Sequence, residues 1–459
     1  KGRIVLTAVK SQAGGAPDGA RVRVPLGVFL IVALAFIAIE HDYEGPIKFE
    51  KLVSARSLDE FVNLEQQLFQ PRAWRQVGGL ALGAYGLFHL LRRRRDADSA
   101  FGFLGGLLIF FVGWSVLSIS WADDPALTFR RVALFLLLAL GAAGVADRLM
   151  PRQLLGVAAL WSGAYLAMAV GVEIMHGTFN PFAQGYRFAG TIHPNAQAVN
   201  CAILFFASIH LMRGVERARF LWFLLAVAAF GFLYLTRSRT AFVGVVAVVL
   251  VQWGIIQARS TKVALASAVA VAAVSFGLLS DVLWPVAQRG ITMGREDASQ
   301  TTGTLTGRRQ LWDQCLDFAA DRPVLGYGYG GFWNPERSKE IIDKQGWPIS
   351  HAHNAYLDIT LDLGAVAALA FILIIIVGCT LAIGYLRETG APAYGFFAMT
   401  LLFCALNGLL ESVAVQRSQL TFLAMMVLVH LAFHKAPQET GAPEVAGETR
   451  PKPVLQTTA

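Results

Sequence analysis

Residues 363–386 read LGAVAALAFILIIIVGCTLAIGYL and contain no charged side chain. About 20 mostly apolar residues suffice for a helix to cross the hydrocarbon core of a bilayer, so this stretch is long enough to span a membrane. The same pattern recurs along the 459-residue chain, which is 55% apolar, 15% charged and has a mean hydropathy of +0.52. Soluble domains are about 45–50% apolar and about 25% charged. The composition therefore predicts a polytopic membrane protein and excludes a soluble enzyme, a disordered chain, a fibrous repeat and a disulfide-stapled secreted module.

Apolar segments of the required length predict an all-α bundle of about twelve transmembrane helices. In chain order they are 25–39, 77–91, 101–121, 131–146, 153–175, 195–212, 220–236, 240–257, 263–284, 363–386, 393–410 and 418–434. The domain organisation follows from these segments. We expect a disordered cytoplasmic N-terminus (1–24), helices 1–9 (25–284), one large loop with short helices (285–354), helices 10–12 (355–434) and a disordered cytoplasmic tail (435–459). Loops as long as 285–354 are usually functional.

Basic residues orient the bundle. Lys and Arg concentrate in the segments that lie inside if the N-terminus is cytoplasmic, including the run Arg92–Arg95 directly after an apolar stretch. This asymmetry predicts cytoplasmic N- and C-termini, with the large loop outside. The net charge of +8 does not indicate nucleic acid binding, because no basic run is interleaved with exposed aromatic residues.

Three arginines in short outside segments depart from this orientation rule and need a reason. Arg187 precedes the sixth predicted span, and Arg237 and Arg239 flank Ser238 in a tight hairpin between two spans. Guanidinium groups bind phosphate oxygens bidentately and stay charged when half-buried, which favours an anion site at the outer mouth of the bundle. Snorkelling to lipid headgroups is the alternative.

The large loop adds a fourth candidate in a segment with helical periodicity, 306–320. Arg308 falls on the helix face of Trp312 and Cys315, whereas Arg309 falls beside Asp313 on a solvated face. We therefore expect Arg308 to point into the protein and Arg309 away from it. An inward Arg has either an anionic partner or a stacking contact with the indole.

The loop ends in His351-Ala352-His353-Asn354-Ala355-Tyr356-Leu357-Asp358. A histidine of this segment, His351 or His353, can serve as a general base because histidine titrates near neutral pH, although a lone histidine is more often structural than catalytic. Asn354, Tyr356, Asp358 and Trp312 are candidate supporting residues. Two histidines spaced by two can bind metal, but no third ligand is apparent nearby and the four cysteines form no zinc pattern, so no metal site is predicted.

These stretches together resemble the bacterial superfamily of O-antigen ligases and O-antigen or exopolysaccharide polymerases, which are membrane glycosyltransferases. The resemblance covers about 100–430. It lies in the motifs Arg187 with Gly190 and Pro194-Asn195, Ser238-Arg239-Thr240, Gly307-Arg308 with Trp312, Arg322-Pro323-Val324-Leu325-Gly326-Tyr327-Gly328, His353-Asn354-Ala355-Tyr356-Leu357 and Leu363-Gly364. Thr240 departs from the small residue common at that position.

The resemblance implies a GT-C-like bundle in the bacterial inner membrane with its active site on the periplasmic face. The donor would be a glycan on undecaprenyl pyrophosphate, and the acceptor a sugar hydroxyl on lipid A-core or another lipid-linked glycan. Neither a nucleotide nor a metal would be needed, so no cofactor is expected. Arg187, Arg237, Arg239 and Arg308 would bind the pyrophosphate, and His353, Arg239 and Arg308 would be catalytic, with inversion at the anomeric carbon.

Three other functions remain open. A polymerase would use the same chemistry to join repeat units on the carrier, and O-antigen ligation is preferred over it. A transporter of lipid-linked glycans would place ionisable residues near the middle of the spans, which are nearly uncharged here. A peptidoglycan glycosyltransferase of the shape-and-division type shares the layout, but the His353-Asn354 segment argues against it.

Overall fold

The computed structural model describes residues 3–7, 21–44, 48, 73–92, 102–183, 185–214, 218–256, 308–347, 349–412 and 418–434. Its helices are α1 (Leu26–Glu40), α2 (Ala73–Leu91), α3 (Phe103–Leu117), α4 (Pro125–Arg148), α5 (Pro151–Met175), α6 (Pro194–Gly214), α7 (Arg219–Leu235), α8 (Arg239–Ile256), α9 (Arg308–Asp321), α10 (Pro335–Gln345), α11 (Ala355–Thr389), α12 (Pro392–Gly408) and α13 (Gln419–Phe433).

The described helices confirm an all-α membrane protein. Among the described residues, five stretches are long and apolar enough to cross a bilayer: Phe103–Ser120, Pro125–Arg148, Pro151–Met175, Pro194–Arg213 and Ala355–Thr389. Shorter apolar helices coincide with other predicted spans: Leu26–Glu40, Arg219–Leu235, Arg239–Gly254, Pro392–Gly408 and Gln419–Phe433. The predicted span at 263–284 lies outside the described residues. The total of twelve therefore stays a prediction.

The segment 1–24, which was expected to lack structure, contains two strands. Strands β1 (Arg3–Thr7) and β2 (Arg21–Pro25) pair in antiparallel register, with Val5 opposite Arg23. The run Ile4-Val5-Leu6 and the alternation Arg21-Val22-Arg23-Val24 supply the β-branched residues that favour strands. The expectation gave no weight to this local alternation.

Small residues let α2 and α4 approach closely. A Cβ built on Gly86 would lie 2.0 Å from the carbonyl oxygen of Leu140, and one on Gly144 would lie 2.5 Å from the Cα of Gly86. Helices inside a membrane gain little from the hydrophobic effect between them, so close backbone packing of this kind is what holds them together.

Helix α11 is broken at Gly364, which has φ 78° and ψ 175°. A side chain there would collide with the backbone, because an added Cβ would lie 1.9 Å from the carbonyl oxygen of Val324. The predicted span 363–386 therefore has a separate helical segment, 355–363, in front of it. This segment carries part of the candidate site.

The turn after α9 supplies backbone hydrogen-bond partners at the break in α11. The amide of Tyr327 donates to the Leu361 carbonyl at 2.9 Å, and the Ala365 amide donates to the Pro323 carbonyl at 2.8 Å. These bonds satisfy backbone groups that lose their helical partners at the break, which is a requirement for buried peptide groups. The motif from Arg322 to Gly328 thus fixes the direction of 355–363.

Helices α9 and α10 and the start of α11 share a small core of their own. It contains Leu311, Cys315, Ala319, Tyr327, Phe332, Ile341, Ile349, Ala352, Leu357 and Leu361. Asp123, in the α3–α4 connection, binds Arg322 at 2.7 Å and Arg337 at 2.8 Å. The bundle therefore holds this helical unit by ion pairs as well as through α11.

Candidate functional site

Glu411 lies just after α12 and is the centre of a charged cluster. Its side chain is 5% exposed. One carboxylate oxygen, Oε1, accepts hydrogen bonds from Arg308 Nη2 at 2.9 Å and from Asn195 Nδ2 at 3.0 Å. The other oxygen, Oε2, faces His353 Nδ1 at 3.5 Å. A buried carboxylate requires this kind of charged and polar surrounding, because desolvation of the free anion is costly.

Arg187 joins the cluster through Asn195. Its Nη2 donates to Asn195 Oδ1 at 3.0 Å, and its Nε donates to the carbonyl of Thr236 at 3.1 Å. The amide of Phe188 also donates to the Leu235 carbonyl at 2.9 Å. The segment before α6 is therefore bound to the end of α7, where the turn with the other two predicted arginines begins.

Arg237 and Arg239 are half-buried in that turn. Arg237 has φ 53°, a left-handed conformation that is uncommon for a residue with a side chain. Arg239 is the first residue of α8. The Arg187–Thr236 hydrogen bond connects this turn to the segment that carries Arg187. Arg187 thus connects the turn of Arg237 and Arg239 with the Glu411 cluster, through Thr236 on one side and Asn195 on the other.

Glu173, at the end of α5, holds the Arg187 segment in place. Its Oε1 accepts from the amides of Ala189 at 2.9 Å and Gly190 at 2.8 Å, and its other oxygen accepts from the Tyr186 hydroxyl. Gly190 has φ 62°, and an added Cβ would lie 2.2 Å from the Cβ of Ala169. The glycine therefore allows the segment to lie directly against α5.

His351 and His353 flank Ala352, whose backbone amide and carbonyl are both hydrogen-bonded to side chains. The amide of Ala352 donates to Asp358 Oδ1 at 2.9 Å, and Trp312 Nε1 donates to the Ala352 carbonyl at 2.8 Å. Trp312 and Asp358 therefore position His351 and His353, whose ring centroids are 4.1 Å apart.

Asp358 also reaches the segment that carries Glu411. It accepts a hydrogen bond from the Ser412 hydroxyl and another from Trp333 Nε1 at 2.9 Å. The buried Asp358 carboxylate thus joins the histidine segment to the Glu411 segment. Asp358, a candidate supporting residue from the sequence, is thus buried and hydrogen-bonded to polar neighbours.

Asn354 and Tyr356 have structural contacts. The Asn354 side chain caps α11 by accepting from the amides of Tyr356 and Leu357, each at 3.0 Å. The Tyr356 hydroxyl donates to the Ala405 carbonyl at 2.9 Å. The structure therefore gives both residues a place in holding α11 at the site, rather than a contact with the Glu411 cluster.

His353 has φ 51°, so its backbone is left-handed, as is that of Arg237. Among the described residues, these are the non-glycine positions with positive φ. Such a conformation costs of the order of 1–3 kcal/mol and persists where the surrounding structure enforces it, often at functional sites. Both strained residues were candidates from the sequence.

Electrostatics keep the cluster in a defined charge state. Burial would raise the pKa of Glu411, but the hydrogen bond with His353 and the charge of Arg308 hold the pKa below its usual value. Burial, followed by the neighbouring His353, lowers the pKa of His351 to about 3. Burial and Arg187 lower the pKa of His193 to about 4. Glu411 is thus an anion near neutral pH, and His351 and His193 are uncharged.

A cavity of about 1040 Å³ opens beside this cluster. Next to the cluster its wall includes His193, Ser350, His351 and Asp358, and its other polar or charged wall residues include Glu40, Arg75, Arg131, Ser338, Asp362, Ser418 and Thr421. The rest of the wall is mostly apolar and comes from several helices: Leu108, Ile109, Phe111, Leu134, Leu138, Phe371, Ile374, Met425, Leu428 and Phe433 among others. Of the residues predicted from sequence, His351 and Asp358 line it.

Arg308 lies where the helical periodicity put it. Its side chain is 16% exposed, whereas Arg309 is exposed, and the buried face of α9 carries Leu311, Cys315 and Ala319. The anionic partner that sequence reasoning considered for Arg308 is Glu411. Stacking on Trp312 is not among the contacts of Arg308 in the described residues.

The sequence analysis assigned no site role to Glu411, Glu173, His193 or Asn195, although Asn195 belongs to the Pro194-Asn195 motif. Glu173 and Glu411 had one visible signal, since each is an acidic residue at the end of an apolar segment. Glu411 also supplies the third possible metal ligand that the sequence did not indicate, because its carboxylate and the two histidines have ligand atoms within 4.8 Å of one another.

Residues 224–372 match the family model described as O-antigen ligase. The match supports the O-antigen ligase superfamily. The O-antigen ligase match begins in α7 and ends in α11, so it includes Arg237, Arg239, Arg308 and His353, whereas Arg187 and Glu411 lie outside it. No curated protein matches the chain. The match thus confirms, over residues 224–372, the resemblance to this superfamily that the motifs indicated.

Proposed function

We propose that the protein is a periplasmic-facing membrane glycosyltransferase that moves a glycan from undecaprenyl pyrophosphate to an acceptor sugar hydroxyl, and that it ligates O-antigen to lipid A-core. The observation that carries the proposal is the mostly buried Arg308–Glu411–His353 cluster beside a cavity whose wall is mostly apolar and has polar groups next to the cluster. The family match supports the same class of enzyme.

The cavity suits an amphipathic donor. A polyprenyl chain is a hydrocarbon, and burial of apolar surface is favourable by about 25 cal/mol per Å². The apolar wall from α3, α4, α11 and α13 would take the chain, and the polar groups next to the cluster would take the pyrophosphate and the first sugar. Ligand sites commonly combine such an apolar wall with a few polar groups that fix orientation.

His353 is the proposed general base. Its Nδ1 faces Glu411 Oε2, so an Nδ1–H would point at the carboxylate and the opposite ring nitrogen, Nε2, would be available for a proton. Nε2 would take the proton of the acceptor hydroxyl as the oxygen attacks the anomeric carbon. The anion of Glu411 would stabilise the imidazolium that forms. A base oriented by a third group recurs in many enzymes.

His351 is the less suitable base, although it lines the cavity. Its pKa of about 3 means that the protonated form is unfavourable where the ring lies. The ring can still orient a substrate hydroxyl as a neutral hydrogen-bonding group. We therefore assign the proton transfer to His353 and substrate contact to His351.

The arginines would stabilise the leaving group. The C–O bond to the pyrophosphate breaks as the new glycosidic bond forms on the opposite face, so the configuration inverts and negative charge develops on the pyrophosphate. Arg308 uses Nη2 for Glu411, and its guanidinium carries further donors that can reach a phosphate. Arg187, Arg237 and Arg239 add positive charge at the same end of the bundle.

Repeat-unit polymerisation is the second candidate, because the same cluster would serve it and the family resemblance includes polymerases. The two differ in the acceptor. The test uses purified protein in detergent with a lipid-pyrophosphate-linked glycan, offered either lipid A-core or a second copy of the donor, with EDTA present. Transfer to lipid A-core supports the ligase, and elongation on the carrier alone supports the polymerase.

If folded protein that binds the donor forms neither product, the enzyme proposal is overturned and a transporter is favoured. Activity that EDTA abolishes and that returns on addition of metal would overturn the metal-independent mechanism. Arg309→Ala serves as the control for an Arg308→Ala variant in this assay, because Arg309 is exposed and next to Arg308.

A further inference from the structure

His351, His353 and Glu411 have the composition and spacing of a transition-metal site. Their ligand atoms lie within 4.8 Å of one another, and His353 Nδ1 is 3.5 Å from Glu411 Oε2. Zinc binds nitrogen and carboxylate oxygen at about 2.0–2.2 Å in tetrahedral geometry, which separates neighbouring ligand atoms by about 3.4 Å. The His353–Glu411 separation is long for a hydrogen bond and suits an ion between the two atoms.

The surroundings orient each of the three groups. Ser350 Oγ is 3.0 Å from His351 Nδ1, which directs the Nε2 side of that ring away from the hydroxyl. Glu411 Oε1 is occupied by Arg308 and Asn195, so Oε2 is the oxygen that faces His353. Outer contacts of this kind fix the orientation of metal ligands.

The site is accessible from the cavity, and its ligand types favour certain metal ions over others. His351 lines the large cavity, so an ion can approach from that side. Two imidazoles and one carboxylate favour zinc, cobalt, nickel or copper over magnesium and calcium, which prefer oxygen ligands. The positive charge of Arg308 beside Glu411 weakens the site relative to an isolated His₂Glu set.

We propose that His351, His353 and Glu411 form a binding site for a divalent transition-metal ion, represented by Zn²⁺, and that the bound ion inhibits the enzyme. Binding itself does not depend on the proposed function, whereas inhibition rests on it. Coordination through His353 Nδ1 and Glu411 Oε2 would take the carboxylate away from the imidazole and add positive charge beside it. His353 could then no longer accept the proton of the acceptor hydroxyl.

The first test measures binding without any substrate. Co²⁺ is added to tag-free, metal-free protein in detergent, and the visible absorption of tetrahedral Co²⁺ is followed and then displaced with Zn²⁺. We expect one saturable equivalent. His351→Ala, His353→Ala and Glu411→Gln should each lose the band, and Asn195→Ala should weaken binding about tenfold through lost orientation of Glu411.

Two control variants separate this site from other histidines. His176→Ala removes an exposed histidine that binds the Tyr43 carbonyl, and His430→Ala removes one of a stacked pair with His434. Both should keep the band. Loss of the band in a control, or its retention in His351→Ala, would overturn the assignment. His351→Ala decides the matter if Glu411→Gln does not fold.

The second test measures transfer of the lipid-linked glycan with rising free Zn²⁺. We expect at least about tenfold inhibition at saturation of the site and full recovery with EDTA, and Mg²⁺ should have no effect. Saturable binding with unchanged transfer would overturn the inhibitory role and leave the proposed function standing. Absence of transfer under every condition, with the cobalt band present, would overturn the proposed function and not the binding site.

Discussion

The guanidinium of Arg308 lies 2.9 Å from the carboxylate of Glu411, although the two residues are 103 positions apart in the sequence. Both side chains are mostly buried, at 16% and 5% exposure. Buried ion pairs often contribute little net stability, because the desolvation of both charges offsets their attraction. The pair is therefore better understood as a means of fixing the position of two charges at the site than as a source of stability.

Arg308→Ala should abolish most activity, and Arg309→Ala should leave it near the wild-type value. Loss of Arg308 removes a donor to the pyrophosphate and leaves Glu411 with less positive charge around it. Removal of one such stabilising group typically costs about 10²–10³ in kcat. Steady-state transfer rates of both variants, each with a thermal melting curve, provide the measurement. Equal loss in the two variants would contradict a specific role for Arg308.

Glu411→Gln should lower kcat about 100-fold, because His353, the proposed base, would lose the anion that stabilises its protonated form. Gln keeps the size and can still accept from Asn195, so the substrate KM should change much less. The double variant with His353→Ala should be no slower than His353→Ala alone, since both changes disable one unit. Multiplicative losses in the double variant would show that the two residues act independently.

Gly364→Ala should destabilise the protein by about 3 kcal/mol or more, because the backbone has φ 78° and a Cβ would lie 1.9 Å from the Val324 carbonyl oxygen. Gly384→Ala is the matched control in the same helix, where nothing lies within 4 Å of an added Cβ. That substitution should be neutral or slightly stabilising. Thermal unfolding in detergent compares the two, and equal melting temperatures would exclude a strained break at Gly364.

The stability of the protein should fall as the pH is lowered from about 6.5 towards 4. His193 and His351 have folded pKa values of about 4 and about 3, below the usual histidine value, so the unfolded chain binds protons in this range that the folded chain does not. Each such group contributes up to about 1.4 kcal/mol of destabilisation per pH unit. His193→Gln and His351→Gln should each reduce the slope of melting temperature against pH. An unchanged slope in both would contradict buried, neutral histidines.

Local patterns in the sequence predicted the features that depend on local physics. Uncharged apolar runs located helices because each span satisfies its own backbone hydrogen bonds. Helical periodicity separated Arg308 from Arg309 because the two faces of one helix are set by its own geometry.

The remaining features depend on contacts between distant segments. Glu411 looked like an ordinary polar residue at a span end, and its partners come from α6, α9 and the start of α11. The break at Gly364 depends on a turn some 40 positions upstream along the chain, whose carbonyl and amide groups replace the missing helical partners. No periodicity within α11 reports such a partner.

The charged cluster also has a consequence for the biogenesis of the protein. Its members come from residues 187, 195, 308, 353 and 411, and the last of them follows α12. Membrane helices are delivered to the bilayer in the order of synthesis, so a nascent chain that ends before residue 411 has the arginines but not the carboxylate that collects them. The cluster is therefore completed only after α12 has been synthesised, and a chain truncated before residue 411 would lack the carboxylate to which Arg308 and Asn195 bind.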